Sequence, residues 1–86
     1  MNKVQHLLIT GASSGIGRIA AQRLEEGGHR LTLVCRSRER AREALEWVAP
    51  NTTVVLADLA DLTSVDQLCS SLQGRAEPLD GLVLNA

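Results

Sequence analysis

The chain has 86 residues, 44% of them apolar, and a formal net charge of −1. That length leaves room for one small core, so the chain reads as part of a single globular domain and not as a disordered or multidomain polypeptide. Nine basic against ten acidic residues give no pull toward nucleic acid or an anionic membrane, and no apolar run approaches the length of a membrane span. The apolar stretch after Met1-Asn2-Lys3 is too short for a signal peptide, which makes a cytoplasmic setting the expectation. Trp47 is the only aromatic residue, so the core must be aliphatic. Cys35 and Cys69 form no C-x-x-C pair, and with His6 and His29 they show no metal-ligand spacing. Both cysteines fall in apolar periodic segments and read as buried thiols, with a redox role at Cys35 as the alternative.

Val4 to Thr10 is a nearly continuous apolar run, the pattern of a strand buried on both faces. It runs into Thr10-Gly-Ala-Ser-Ser-Gly-Ile-Gly17. A first helix is expected from Gly15 to Glu26, with Ile16, Ile19, Ala20 and Leu24 as its apolar stripe and Gly27-Gly28 as its stop. Arg18 and Arg23 fall off that stripe and read as solvated, although Arg18 lies in the first turn. Leu31 to Cys35 is the second strand. Ser37 can cap a second helix running to about Val48, with Ala41, Ala44, Leu45 and Val48 inward and Trp47 as a packing anchor or a partly exposed ring.

Arginines recur through Arg36-Ser-Arg38-Glu-Arg40-Ala-Arg42, but helical geometry spreads those from Arg38 onward around the axis. Arg40 and Arg42 read as a charged solvent face, with Glu39 and Glu46 in pairing range of Arg42. Arg36 stands apart, at the end of the strand. Pro50-Asn51 breaks the helix, and Thr53 to Ala57 is a third strand followed by Asp58-Leu59. Thr63-Ser-Val-Asp66 resembles a capping box opening a third helix with Val65, Leu68, Cys69 and Leu72 inward and Gly74 as its stop. Pro78 interrupts the loop, and Gly81 to Leu84 is a fourth strand that ends in Asn85-Ala86.

Strands alternating with helices imply an α/β fold with a parallel sheet. Right-handed crossovers lead to strand order 3-2-1-4, with the first two helices on one face and the third on the other. The direction of winding reverses between strands 1 and 4, and ligands of doubly wound sheets bind in that crevice, beyond the carboxyl ends of the strands. Gly11 to Gly17, Arg36, Asp58 and Asn85 all fall at that edge. An apolar strand, a glycine-rich turn and a helix N-terminus make a phosphate cradle, because the first helical amides lack partners and the dipole favours negative charge. Gly11, Ser13, Ser14, Gly15, Ile16 and Gly17 are the candidate diphosphate contacts. The spacing Gly11-x-x-x-Gly15-x-Gly17 departs from G-x-G-x-x-G, and no Gly-Lys-Ser/Thr follows, so it is not a Walker A loop.

Thr-Gly-x-x-x-Gly-Ile-Gly directly after the first strand resembles the short-chain dehydrogenase/reductase family. The resemblance runs from Val4 to Ala86 and implies a partial Rossmann-type sheet, residues 1–86 being the N-terminal part of an NAD(P)-binding domain. A carboxylate at the end of the second strand selects NAD, whereas an arginine offers a fork for the 2′-phosphate of NADP. Cys35-Arg36 occupies that place and no acidic residue comes before Glu39, so NADP is the expected cofactor, with Arg38 or Arg40 as helpers. Ser14 stands where some NADP-using members place a second basic residue. Asp58-Leu59 resembles the family's adenine-binding pair, with a loop-ordering aspartate as the alternative. Leu82-Val-Leu-Asn85-Ala86 resembles the start of its Asn-Ala-Gly signature, with Leu84 where many members have another Asn.

The resemblance further implies an oxidoreductase that moves a hydride between the nicotinamide and an alcohol or carbonyl carbon, in some members as a homo-oligomer. The family's catalytic Ser and Tyr-x-x-x-Lys have no counterpart here: there is no tyrosine, and the one lysine is Lys3. The expectation is therefore a cofactor-binding half without catalytic residues of its own. A nucleotide-binding module without chemistry, or an inactive remnant, are the alternatives. Taken alone, the 86-residue chain is expected to be marginally stable or self-associating, because its outer strand is a bare edge.

Overall fold

A computed structural model describes residues 4–12, 15–58, 60–73 and 79–83, the side chains of 71–73 excepted. Its elements in chain order are β1 (His6–Thr10), α1 (Gly15–Glu26), β2 (Arg30–Cys35), α2 (Arg38–Leu45), β3 (Thr53–Leu56), α3 (Leu62–Gln73) and β4 (Gly81–Val83). The strands form a parallel sheet in the order β3-β2-β1-β4, the expected arrangement. Ile9 lies between Leu33 on one side and Val83 on the other, at the centre of the sheet.

Strand alternation divides the buried residues into two layers. Leu7, Ile9, Leu31, Leu33 and Cys35 face one way and pack with Ala21 of α1 and Ala44 of α2. Leu8 and Val34 face the other way, with Ala57, and Leu68 of α3 covers them. The first two helices thus share a face and the third takes the opposite one. Ile9, Leu31 and Leu33 are fully buried. Each contributes roughly 1.5–3 kcal/mol of hydrophobic stabilisation.

The helices turn inward on different residues from those the apolar pattern favours. On α1 the buried positions are Gly17 and Ala21, with Leu24 partly buried against the core, while Ile16 and Ile19 are exposed. The smallest side chains face the sheet because the helix sits too close to it for isoleucine. On α2, Ala44 is buried and Leu45 is exposed; the helix stops at Leu45, and Trp47 and Val48 pack from the following turn. Ser37 caps α2 as expected, its hydroxyl accepting the Arg40 amide at 3.2 Å. The ion pair of this helix is Arg40–Glu43 at 3.5 Å, not a pair at Arg42.

The start of α3 also differs. The Asp61 carboxylate accepts the Thr63 amide at 2.9 Å, and its carbonyl accepts the Val65 amide at 3.0 Å. Asp61 is therefore the cap, and Thr63 lies inside the first turn instead of capping it. Cys69 is exposed, against the expectation of a buried thiol, whereas Cys35 is buried as expected. β1 begins at His6, paired with Arg30, whose amide donates to the Gln5 carbonyl at 2.9 Å. Leu72's side chain, Gly74, Pro78 and Leu84 lie outside the described residues.

Polar groups at the amino edge of the sheet are tied to one another. The Glu25 carboxylate accepts the Ala49 amide at 2.7 Å and the Thr52 hydroxyl, which joins the end of α1 to the approach to β3. Asp80 accepts the His6 amide at 2.8 Å and returns its own amide to the His6 carbonyl, closing β4 onto β1. The His6 ring meets the Thr32 hydroxyl at 2.9 Å through Nε2. Hydrogen bonds to a charged acceptor contribute about 1.5–3 kcal/mol, so Glu25→Ala is expected to lower stability by about 2 kcal/mol in urea unfolding of the full-length protein. A loss below about 0.5 kcal/mol would mean that the contact is solvent-screened and holds nothing.

Candidate functional site

The parallel sheet brings the carboxyl ends of β1, β2 and β3 to one edge. Gly11 follows β1, Arg36 follows β2, and Ala57-Asp58 follows β3. The Ala57 amide donates to the Cys35 carbonyl at 3.0 Å, so β2 and β3 stay bonded up to the end where Arg36 and Asp58 follow them. The predicted residues Gly11, Gly15, Ile16, Gly17, Arg36 and Asp58 therefore share one edge. Ser13, Ser14, Leu59, Asn85 and Ala86 lie outside the described residues.

The glycines of the turn do two separate jobs. Gly11 and Gly15 have φ of 67° and 63°, a left-handed backbone that opposes any side chain. A Cβ on Gly15 would meet nothing within 4 Å, so glycine is needed there for backbone conformation and not for close packing. Gly17 is the reverse case. A Cβ there would lie 2.2 Å from the Gly11 carbonyl oxygen, because α1 is seated directly on the exit of β1. One glycine supplies a left-handed turn; the other lets helix and strand touch. Gly15 opens α1, where the first amides have no partners within the helix and point out of its end. Ile16, the next residue, is 83% exposed.

Arg36 is exposed, between the last residue of β2 and the cap of α2, and it has no carboxylate partner among the described residues. Asp58 is half-buried, and its Oδ1 accepts the Ala60 amide at 3.0 Å while its own amide donates to the Ser64 hydroxyl at 2.8 Å. That carboxylate already orders the turn after β3, and the Ser64 tether was missed. The only hint in the chain is the run of turn-forming aspartates followed by a serine, Asp58-x-x-Asp61-x-x-Ser64. Cys35 points into the core beneath the edge. Burial pushes its thiol above the ordinary value, and the Glu43 carboxylate raises it further, so it stays protonated at neutral pH and is a poor nucleophile. Arg18 is exposed, as expected, and its guanidinium also lies over the Trp47 ring, 5.4 Å from the centroid. Among the described residues no His, Cys, Asp and Glu side chains gather in a group that could hold a metal ion, and no helix is long and apolar enough to cross a membrane.

The family model for the short chain dehydrogenase matches residues 5–86. The chain belongs to the short-chain dehydrogenase/reductase family. It is 37% identical over 82 residues to a fatty acyl-CoA reductase of Acinetobacter baylyi, an alignment covering 92% of this chain and 28% of the relative. It is 40% identical over 84 residues to a chloroplastic protochlorophyllide reductase of Cucumis sativus, covering 93% and 21%. Among solved structures, a short chain dehydrogenase/reductase family protein superposes with a TM-score of 0.80 at 33% identity, over 95% of this chain and 33% of that one. A short-chain dehydrogenase from Streptomyces avermitilis gives 0.81 at 26% identity, over 96% and 30%. The chain thus spans about a quarter of the length of these curated relatives.

The division of labour between the glycines predicts two different defects. Gly17→Ala forces α1 off the strand and is expected to cost about 3 kcal/mol or more in urea unfolding, at the upper end for an overpacked site. Gly15→Ala adds only backbone strain, about 1–2 kcal/mol. Equal losses at the two positions would contradict the direct seating of α1 on β1.

Proposed function

We propose that this chain forms the cofactor-binding part of an NADP(H)-dependent short-chain dehydrogenase/reductase. The observation that carries the reading is the sheet edge itself: a glycine turn at the start of α1, and one strand away an exposed arginine that no carboxylate engages among the described residues. The cradle fits a diphosphate, since the first amides of a helix lack partners within it and its dipole favours negative charge there. The Arg36 guanidinium fits a phosphate monoester through two parallel N–H donors. An acidic residue in that place would favour a bare ribose, and none occurs between Cys35 and Glu39.

In this reading Gly11, Gly15, Ile16 and Gly17 receive the diphosphate together with Ser13 and Ser14. Asp58 and Leu59 flank the adenine, with Asp58 held by Ala60 and Ser64 so that its free oxygen can accept from the ring amine. Asn85 and Ala86 complete the crevice beside β1. NADP(H), when bound, supplies the hydride that passes to or from an alcohol or carbonyl carbon. This chain's share is to bind and orient; it has no tyrosine, and the Ser and Tyr-x-x-x-Lys that would move the proton belong to the remainder of the protein. The names of the relatives, reductases and dehydrogenases, support an oxidoreductase and leave the substrate open.

Titration of the full-length protein with both cofactors tests the assignment. NADPH is expected to bind more tightly than NADH, and Arg36→Asp to weaken NADPH by about ten- to hundred-fold, the range of a lost charge-assisted hydrogen bond, while sparing NADH. Tighter binding of NADH by the unmutated protein would sink the NADP reading.

A further inference from the structure

Trp47 sits in the turn after α2, half-buried against the core that α1 and α2 cover. Its Nε1 is buried and has no hydrogen-bond partner. A buried indole in that state carries a desolvation cost that leucine or phenylalanine would not incur. What the ring supplies here is its face, and Arg18 occupies it at cation–π distance. Arg18 is the residue after Gly17, whose backbone is pressed against Gly11. The stack therefore ties the turn that presents the cradle to the far end of α2. The near end of α2 is capped by Ser37, directly after Arg36. At the other end of α1, the Glu25 carboxylate in its last turn bonds to Ala49 and Thr52. Arg18–Trp47 is the link in the first turn, beside the site.

We infer that Arg18 and Trp47 are a positioning pair for cofactor selection. They hold the cradle and Arg36 at a fixed separation, so that a dinucleotide seated on the cradle presents its 2′-phosphate to the guanidinium. The inference rests on the NADP reading. In this reading the diphosphate is held by the glycine turn, whose seating through Gly17 on Gly11 does not need the stack, so loosening the pair reduces discrimination more than overall binding.

The test compares NADPH and NADH affinities of the full-length protein in three variants. Arg18→Met keeps the side-chain length and removes the charge, Trp47→Leu removes the ring, and Trp47→Phe keeps a ring without the unpartnered N–H. Arg18→Met and Trp47→Leu are expected to cut the NADPH-to-NADH affinity ratio by about two- to five-fold, the range that an exposed cation–π contact spans. Trp47→Phe is expected to hold the ratio nearer that of the unmutated protein. Arg18 is exposed, so its variant folds even where a Trp47 variant does not, and Trp47 emission in Arg18→Met is expected to shift as the cation leaves the ring. An unchanged ratio, or NADPH and NADH weakening in parallel, would overturn the inference and leave the stack a purely structural contact. An unmutated protein without NADPH preference would remove the cofactor reading first, before any variant is compared.

Discussion

The Gly11–Gly17 contact is the constraint on which the other features depend. A helix that follows a buried strand by a short turn can meet the sheet only if its first residues are small enough to pass. With 2.2 Å between a notional Cβ and the carbonyl oxygen, position 17 admits glycine alone without a shift of the backbone. Once α1 is seated there, Ala21 and Leu24 follow it down onto the sheet, and Ile16 and Ile19 are turned outward. The same seating brings the helix N-terminus to the strand exit, so its unpartnered amides open at the sheet edge instead of over its middle.

Polar groups are distributed unequally between the two ends of the sheet. At the amino edge several side chains bond within the protein, Glu25 with Ala49 and Thr52, Asp80 with His6, and the His29 ring with the Gln5 amide at 3.1 Å, although His6 Nδ1 is buried without a partner. At the carboxyl edge Arg36 is exposed and unengaged among the described residues. Internal hydrogen bonds at one end fix the strands and loops. Unspent donors at the other end are what a phosphorylated ligand would use.

Strand order, helix sides and the extent of α1 were readable from the chain, because βαβ handedness leaves few layouts and glycine pairs mark helix ends. The inward faces of the helices were not. Apolar periodicity favours Ile16, Ile19 and Leu45, but close approach to the sheet rewards Gly17, Ala21 and Ala44, whose advantage is size and not hydrophobicity. The cap of α3 was missed for a related reason: Thr63 and Asp61 are both good caps, and only the backbone path decides between them. Glycine spacing marked the cradle, yet could not tell the glycine that shapes the turn from the one that admits a strand. Contacts between residues far apart in the chain, such as Arg18 with Trp47 and Glu25 with Thr52, leave no trace in local pattern.

A crystal structure of the full-length protein with NADPH tests the central claim most directly. The account predicts the diphosphate against the backbone amides between Gly11 and Gly17, the 2′-phosphate within hydrogen-bond distance of Arg36, and the adenine beside Asp58. A cofactor bound away from the cradle, or one whose 2′-phosphate lies in solvent while Arg36 points elsewhere, would contradict it.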